Sequence, residues 1–292
     1  MKTKFKVIEG VYGPRLEMHS PWTSQIEKII SKRGIVELEL NDGKGWKGMD
    51  VRFLKSSNLQ NLKALEILDF LVDNVEDIHH LHDIKHLEVS TYCKTPIDFT
   101  AFPQLESVAI EWRANSKSIF KAHTLREVFV NNYTGSSLKP FAELDQLESL
   151  RLKSPRIREI GDLSTLRKLR DFALVNATRL TSLEGIQVLK TLEHLEANHN
   201  RRISSIEQIG SLTELRHLEI WDNREIDTLW PLNSLKKLEK LFFYESTNIV
   251  DGDVAFLIQL PKLKEAWFQN RRHYNCTCEE LKEYLEKRQL AD

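Results

Sequence analysis

The sequence predicts an α/β repeat fold. Short stacked units each supply one strand to a parallel sheet and one short helical or 3-10 segment behind it. Three observations carry this expectation. Apolar residues recur in a fixed phrase, at spacing three and then two, as in Leu212, Leu215, Leu218 and Ile220. The phrase returns as Leu166, Leu169, Phe172, Leu174, as Leu189, Leu192, Leu195, Ala197, and as Leu235, Leu238, Leu241, Phe243. Its third residue therefore falls at 172, 195, 218 and 241, a constant step of 23 that marks a repeat architecture.

Each part of the phrase has a physical meaning. The last two apolar residues alternate with period two, as in a short strand with one face buried. The preceding pair, at spacing three, forms one stripe of a short helical segment. A single unit cannot bury this apolar side alone, so units must stack. Traced backwards, the anchor falls at Leu150, Val128, Val108, Leu87 and Leu68, and traced forwards at Ala266, so ten units fit between Leu68 and Ala266. Leu38 and Leu40, in IVELELN, read as a further strand ahead of them.

These phrases, most clearly RLTSLEGIQVLKTLEHLEANHN and RISSIEQIGSLTELRHLEIWDN, resemble the leucine-rich-repeat family over about residues 60–270. They are similar to the short intracellular class of a protein phosphatase 1 regulatory subunit and to bacterial internalin repeats. The resemblance implies a right-handed solenoid, a horseshoe with its parallel sheet on the concave side and short helical or 3-10 segments on the convex side. It also implies an asparagine three positions after the second strand residue, bonding neighbouring backbone. Asn200 and Asn223 match, whereas the other units place Asp73, Tyr92, Arg113, Tyr133, Pro155, Ala177, Ser246 and Arg271 there. The ladder is therefore expected to be interrupted.

The ends of such an array must cover apolar faces. Residues 1–34 read as an N-terminal capping segment. In it Ser20-Pro21 starts a helix through Ile26, Ile29 and Ile30 that Gly34 closes. Residues 35–270 hold the array, about ten to eleven units. Residues 271–292 form a C-terminal capping helix opened by a capping box, Thr277 to Glu280, with Cys278, Leu281, Tyr284 and Leu285 on one face. In NDGKGWKGMDVRF, the glycines Gly43, Gly45 and Gly48 match no phosphate-binding spacing, and the segment reads as a turn-rich connection packing Trp46.

Composition narrows the function. With 42 basic and 43 acidic residues the formal net charge is −1, which argues against a nucleic-acid binder or an anionic-membrane binder. Three cysteines imply no disulfide framework, and neither a signal-type apolar region nor a membrane-length apolar run is visible. A cytoplasmic protein, monomeric when free, is the expectation.

No catalytic set, cofactor site or metal site is expected. His79, His80, His82 and His86 cluster in sequence, but the repeat phase sends the first three and His86 in different directions. Cys276 and Cys278 lack a second pair for zinc. Asp251-Gly252-Asp253 lacks a calcium loop and reads as a turn ahead of a helix through Val254, Phe256 and Leu257.

The informative residues are those facing out of the strands. Near the C-terminal end these include Trp221, Phe242, Tyr244 and Trp267 in adjacent rows, with Glu196, Glu219, Glu245 and Glu265 around them. An aromatic centre with a charged rim is the usual composition of a protein interface. A second set, Glu88, Glu111 and Glu127 with Trp112 and Phe129, offers acidic and aromatic groups earlier in the chain. The sequence thus points to a non-enzymatic module that binds a partner protein through its concave face. It would act as a regulatory or scaffold subunit or as an immunity-like inhibitor. The alternative is a receptor stacking a glycan or another small ligand on the aromatic patch.

Overall fold

The computed structural model describes residues 3–113 and 115–291. It comprises two compact units, Met1–Val130 and Asn131–Asp292. In both, strands lie in sequence order in a sheet, with one face on the core and the other open.

The first unit opens with a hairpin, β1 (Phe5–Glu9) antiparallel to β2 (Pro14–Met18). Helix α1 (Ser24–Arg33) follows, burying Ile26 and Ile30 and ending at Gly34 in left-handed conformation, φ 59°. It starts later than Ser20-Pro21 suggests. The Ser20 hydroxyl instead accepts from the Lys4 backbone N–H at 2.9 Å, tying it to the hairpin, and Thr23 in extended backbone precedes the helix. Then come β3 (Glu37–Asn41), β4 (Ala64–Leu68), β5 (His86–Ser90), β6 (Ser107–Glu111) and β7 (Glu127–Asn131). From β2 to β6 the pairing is parallel and aligns Leu16, Leu38, Leu65, Leu87 and Val108. Trp46 is fully buried behind the early strands, as the turn-rich connection requires.

This register corrects one anchor. Leu65, not Leu68, is the partner of Leu87. Leu65 and Ile67 are buried and Leu68 faces outward, so Glu66 rather than Asp69 stands between the inward pair. Leu68 matched only because it too is aliphatic; its spacing to Leu87 is shorter than any other. Asp69 is instead tucked into the turn, where its carboxylate accepts from the Leu71 N–H at 2.8 Å.

The second unit contains β8 (Ser149–Lys153), β9 (Asp171–Val175), β10 (His194–Glu196), β11 (His217–Glu219), β12 (Glu225–Ile226), β13 (Lys240–Phe243), β14 (Asn248–Ile249) and β15 (Glu265–Phe268). Strands β8, β9, β10, β11, β13 and β15 align Leu150, Phe172, Leu195, Leu218, Leu241 and Ala266. The 23-residue period is therefore the sheet register itself. Strands β12 and β14 pair separately as a two-stranded parallel sheet on the turn side. The returning chain makes 3-10 turns, such as Glu207–Ser211 and Trp230–Ser234, that bury Ile209 and Leu232. Each fully buried aliphatic side chain contributes roughly 1.5–3 kcal/mol of transfer free energy.

Strand exit in this unit uses a repeated device. Asn132, Ser154, Asn176, His199, Asp222 and Glu245 all adopt positive φ, between 50 and 59°. Left-handed backbone costs an L-residue roughly 1–2 kcal/mol, with Asn and Asp paying least. The bend turns the next residue inward, where it can serve as a rung. Asn200 donates from Nδ2 to the Leu174 carbonyl at 2.8 Å and accepts from the Ala177 N–H at 2.8 Å. Asn223 repeats this, donating to the Ala197 carbonyl and accepting from the Asn200 N–H, both at 2.6 Å. Thr247, not Ser246, supplies the next rung, accepting from the Asn223 N–H at 3.0 Å and donating to the Ile220 carbonyl at 2.9 Å. The longer step from Leu241 to Ala266 shifts the rung by one residue. Arg271 ends the series by donating to the Glu245 carbonyl at 2.8 Å.

The last segment is fixed in two ways. Gly252, φ 66°, lets Asp251-Gly252-Asp253 turn under the carbonyl of His273, and Asn275 bonds the Gly252 carbonyl and the Asp253 carboxylate. The following turn is a 3-10 segment, Ala255–Gln259, that buries Phe256 and Leu257. Helix α2 (Cys278–Ala291) begins with the expected capping box. Thr277 N–H donates to Glu280 at 2.8 Å, and Glu280 N–H donates to the Thr277 hydroxyl at 3.2 Å. Cys278, Leu281 and Leu285 are buried, while Tyr284 is exposed. No helix among the described residues is long and apolar enough to cross a membrane.

Candidate functional site

On the open sheet face of the second unit, parallel pairing arranges outward residues in rows. The middle row runs Ala173, Glu196, Glu219, Phe242, Trp267, and the row before it runs Asp171, His194, His217, Lys240, Glu265. At the end of this face lies an open recess of about 860 Å³ lined by Glu219, Phe242, Tyr244, Glu265 and Trp267, among others. Trp221 stacks on Tyr244, with ring centroids 5.3 Å apart and planes 7° from parallel. The structure thus brings the four aromatics expected from the sequence into one place.

Period-two geometry holds the indoles. Residues two apart on a strand share a face. The Trp221 indole N–H accordingly donates to Glu219 at 3.1 Å, and that of Trp267 to Glu265 at 3.0 Å. Tyr244 stays 36% exposed and Trp267 48% exposed. Helix α2 leaves these rings part exposed and places the Lys282 ammonium 5.6 Å from the Trp267 ring centre. Burial pushes the Tyr244 phenol up, and the charges of Glu219, Glu245 and Glu196 add to the effect.

Next to the recess is a polar network that the sequence reading passed over. Arg151 bonds Asp171 at 2.9 Å and also engages Glu196. Asp171 further accepts from Ser149 at 2.6 Å and lies 2.7 Å from His194 Nδ1. Burial alone would raise the Asp171 carboxyl, but the bonds from His194, Ser149 and Arg151 hold it down at about 2. His194 and His217 stack at 4.6 Å. Burial lowers the His217 imidazole, and a neighbouring His194 charge lowers it further. A visible signal existed: the phrase His-Leu-Glu occurs at 86–88, 194–196 and 217–219. It places a histidine and a glutamate on the same face of three strands. Among the described residues two groups of three converge on it, His194, His217, Glu219 and Glu66, His86, Glu88, with the ligand atoms of each group within 4.8 Å of one another.

The first unit carries its own outward residues. Glu88 is half-buried and hydrogen-bonded to Ser90 at 3.2 Å; burial raises its carboxyl, and Glu66 adds to the rise. Arg15 gathers Glu37, Glu39 and Glu66, and Lys44 bonds Glu39 at 2.9 Å and also engages Glu17. Phe129 is 36% exposed on β7, and Glu111 is the last residue of β6. Trp112 is a correction. It leaves the strand and packs against Phe120 at 6.0 Å instead of joining a sheet row. Arg113 beside it turns inward to donate to the Thr91 hydroxyl at 2.7 Å, and this inward turn carries Trp112 to the side. The histidines at 79, 80 and 82 lie on the connection ahead of β5 and His86 on β5 itself, as the repeat phase requires. His79 accepts from the Asp98 N–H at 2.8 Å, and His82 bonds the Ala101 carbonyl at 3.1 Å. The exposed pair Phe70 and Tyr92, 4.5 Å apart, was also missed. Asp69 and Thr91 take the buried turn positions there, which leaves the next aromatic outside.

No protein-family model matches this sequence, and no curated protein sequence matches it. Solved structures do match the fold. An internalin (InlF) from Listeria monocytogenes aligns at TM-score 0.59 and 20% identity over 89% of this chain and 83% of that one. A leucine-rich-repeat protein of Leptospira interrogans aligns at TM-score 0.65 and 19% identity over 86% of this chain and 65% of its own. This chain has a leucine-rich-repeat fold. The leucine-rich-repeat ectodomain of the Arabidopsis thaliana receptor kinase GASSHO1/SCHENGEN3, solved in complex with CASPARIAN STRIP INTEGRITY FACTOR 2, aligns at TM-score 0.57 and 15% identity. The match covers 88% of this chain but only 35% of the ectodomain. In this leucine-rich-repeat chain the Asn200–Asn223–Thr247 ladder is the local form of the asparagine pattern the repeats suggested.

Proposed function

We propose that this chain is a non-enzymatic interaction module that binds a partner protein through the open sheet face of residues 131–292, at the recess lined by Phe242, Tyr244 and Trp267 and at Trp221, which stacks on Tyr244 beside it. The observation that carries the reading is the composition of that recess. Large aromatics, part exposed and held in place by indole hydrogen bonds, sit inside a rim of Glu219, Glu245 and Glu265. Rigid aromatics lose little entropy on binding and dominate interface hot spots. The acidic rim favours a partner segment with apolar residues flanked by lysine or arginine. The Arabidopsis ectodomain was crystallised in complex with CASPARIAN STRIP INTEGRITY FACTOR 2, which supports a binding task for this fold. A scaffold role and an inhibitor role both follow from such a surface.

A glycan receptor fits less well. Sugar stacking needs free ring faces, yet Trp221 and Tyr244 already cover one face of each other, and the Lys282 ammonium lies over Trp267. The test is affinity purification from the native source with the wild type and with Trp221→Ala plus Tyr244→Ala. A specific protein partner is expected with the wild type, weakened about 30-fold or more by the double variant if both rings are hot spots. Unchanged capture by the double variant would refute the placement. Calorimetric glycan binding without a protein partner would replace this reading with the receptor one.

A further inference from the structure

We propose that His194, His217 and Glu219 form a divalent transition-metal site, suited to Zn²⁺, on the open sheet face of residues 131–292. The site follows from the repeat itself. His-Leu-Glu recurs after 23 residues, and the parallel register sets His194 beside His217 and Glu196 beside Glu219. Period two then puts both histidines and both glutamates on the same face.

The atoms converge. Nε2 of His194 lies 3.9 Å, and Nε2 of His217 3.4 Å, from the same Glu219 oxygen, Oε1. All three ligand atoms fall within 4.8 Å of one another. A tetrahedral zinc with bonds of about 2.0–2.2 Å needs ligand atoms roughly 3.3–3.5 Å apart, within reach of small side-chain rotations. Both Nε2 atoms are buried and, among the described residues, have no hydrogen-bond partner. A buried ring nitrogen without a partner is costly, and two of them beside one carboxylate oxygen, in the tautomer that leaves each Nε2 bare, are what a cation would satisfy.

The supporting groups are also in place. Metal-bound histidines generally give their other ring nitrogen to a carboxylate. His194 Nδ1 sits 2.7 Å from Asp171, itself fixed by Arg151 and Ser149, which leaves the Nε2 lone pair free for the metal. The second Glu219 oxygen, Oε2, accepts from Trp221 at 3.1 Å and from Asn198 at 3.4 Å, which leaves Oε1 for the metal. Three protein ligands on an open face leave a fourth position for water or an incoming ligand, the arrangement of an exchangeable zinc site. The related triplet Glu66, His86, Glu88 lacks these features. It has one imidazole, its His86 Nδ1 is 3.1 Å from Ser107, and Arg15 already neutralises Glu66.

The experiment is calorimetric titration of the untagged full chain, stripped with chelator, with ZnCl₂. One Zn²⁺ per chain is expected. His217→Ala and the isosteric Glu219→Gln should each weaken binding about 100-fold or more, while His86→Ala leaves it unchanged; matching circular dichroism spectra establish that the variants are folded. Trp267→Ala, whose indole bonds Glu265 and not Glu219, should bind zinc like the wild type, so failure of the zinc site and failure of partner binding are distinguishable. Absence of zinc binding, wild-type affinity in His217→Ala or in Glu219→Gln, or loss in His86→Ala would overturn the proposal.

Discussion

Replacing Asn223 by alanine tests the ladder that fixes the second unit. The side chain is 3% exposed and serves two backbone groups at once, the Ala197 carbonyl and the Asn200 N–H, each at 2.6 Å. Truncation leaves both buried without a partner. An orphaned buried polar group costs about 1–3 kcal/mol, so the pair amounts to about 2–6 kcal/mol. With a urea m-value of about 2–3 kcal/mol/M, the unfolding midpoint should fall by about 1–3 M at unchanged slope. Trp221, Trp230 and Trp267 report on this unit by fluorescence, and Trp22, Trp46 and Trp112 on the other. Asn223→Thr should recover part of the loss, because the Thr247 hydroxyl already both accepts and donates in the next unit. A midpoint shift below about 0.3 M in Asn223→Ala would refute the reasoning, since the two backbone groups would then be satisfied without this side chain.

Asp222 should make stability depend on acid. Burial alone would raise its carboxyl, but bonds from Ser246, Arg201 and His199 hold it down at about 2. A depressed folded-state value gives stability that is present above the unfolded value near 4 and lost as the pH falls toward 2. Asp222→Asn keeps the left-handed backbone tolerable and should be less stable at pH 7, with the gap from wild type closing between about pH 4 and 2 in urea titrations. A gap that does not change with pH would contradict this. Gly252→Ala forces alanine to φ 66° and drives a Cβ into the His273 carbonyl oxygen, so a loss of about 2 kcal/mol or more is expected in thermal melts. An unchanged melt would show that the turn relaxes freely. Cys278 is buried and burial raises its thiol, whereas Cys93 and Cys276 are half-buried. A thiol reagent should therefore leave Cys278 unmodified in native protein and reach it only in denaturant; mass spectrometry of peptides decides.

The sequence by itself determined the repeat and hence the fold. A 23-residue step is a statement about which side chains must be buried together, and burial is encoded by residue type. The same logic located Gly34, the Thr277–Glu280 capping box and the four aromatics, because period two and local capping involve residues close along the chain. Tertiary structure decided what depends on neighbours far apart in sequence. Register moved the first anchor from Leu68 to Leu65, since only pairing with Leu87 distinguishes two aliphatic residues on one short strand. It moved a rung from Ser246 to Thr247, because side-chain reach across stacked units, not position in a phrase, selects the rung. It also brought His194 and His217 together with Glu219. The recurring His-Leu-Glu phrase was visible in the sequence, but the two histidines lie 23 residues apart, beyond the reach of any local element. Only the stacking of one strand on the next turns a repeated His-Leu-Glu into a group of converging ligands.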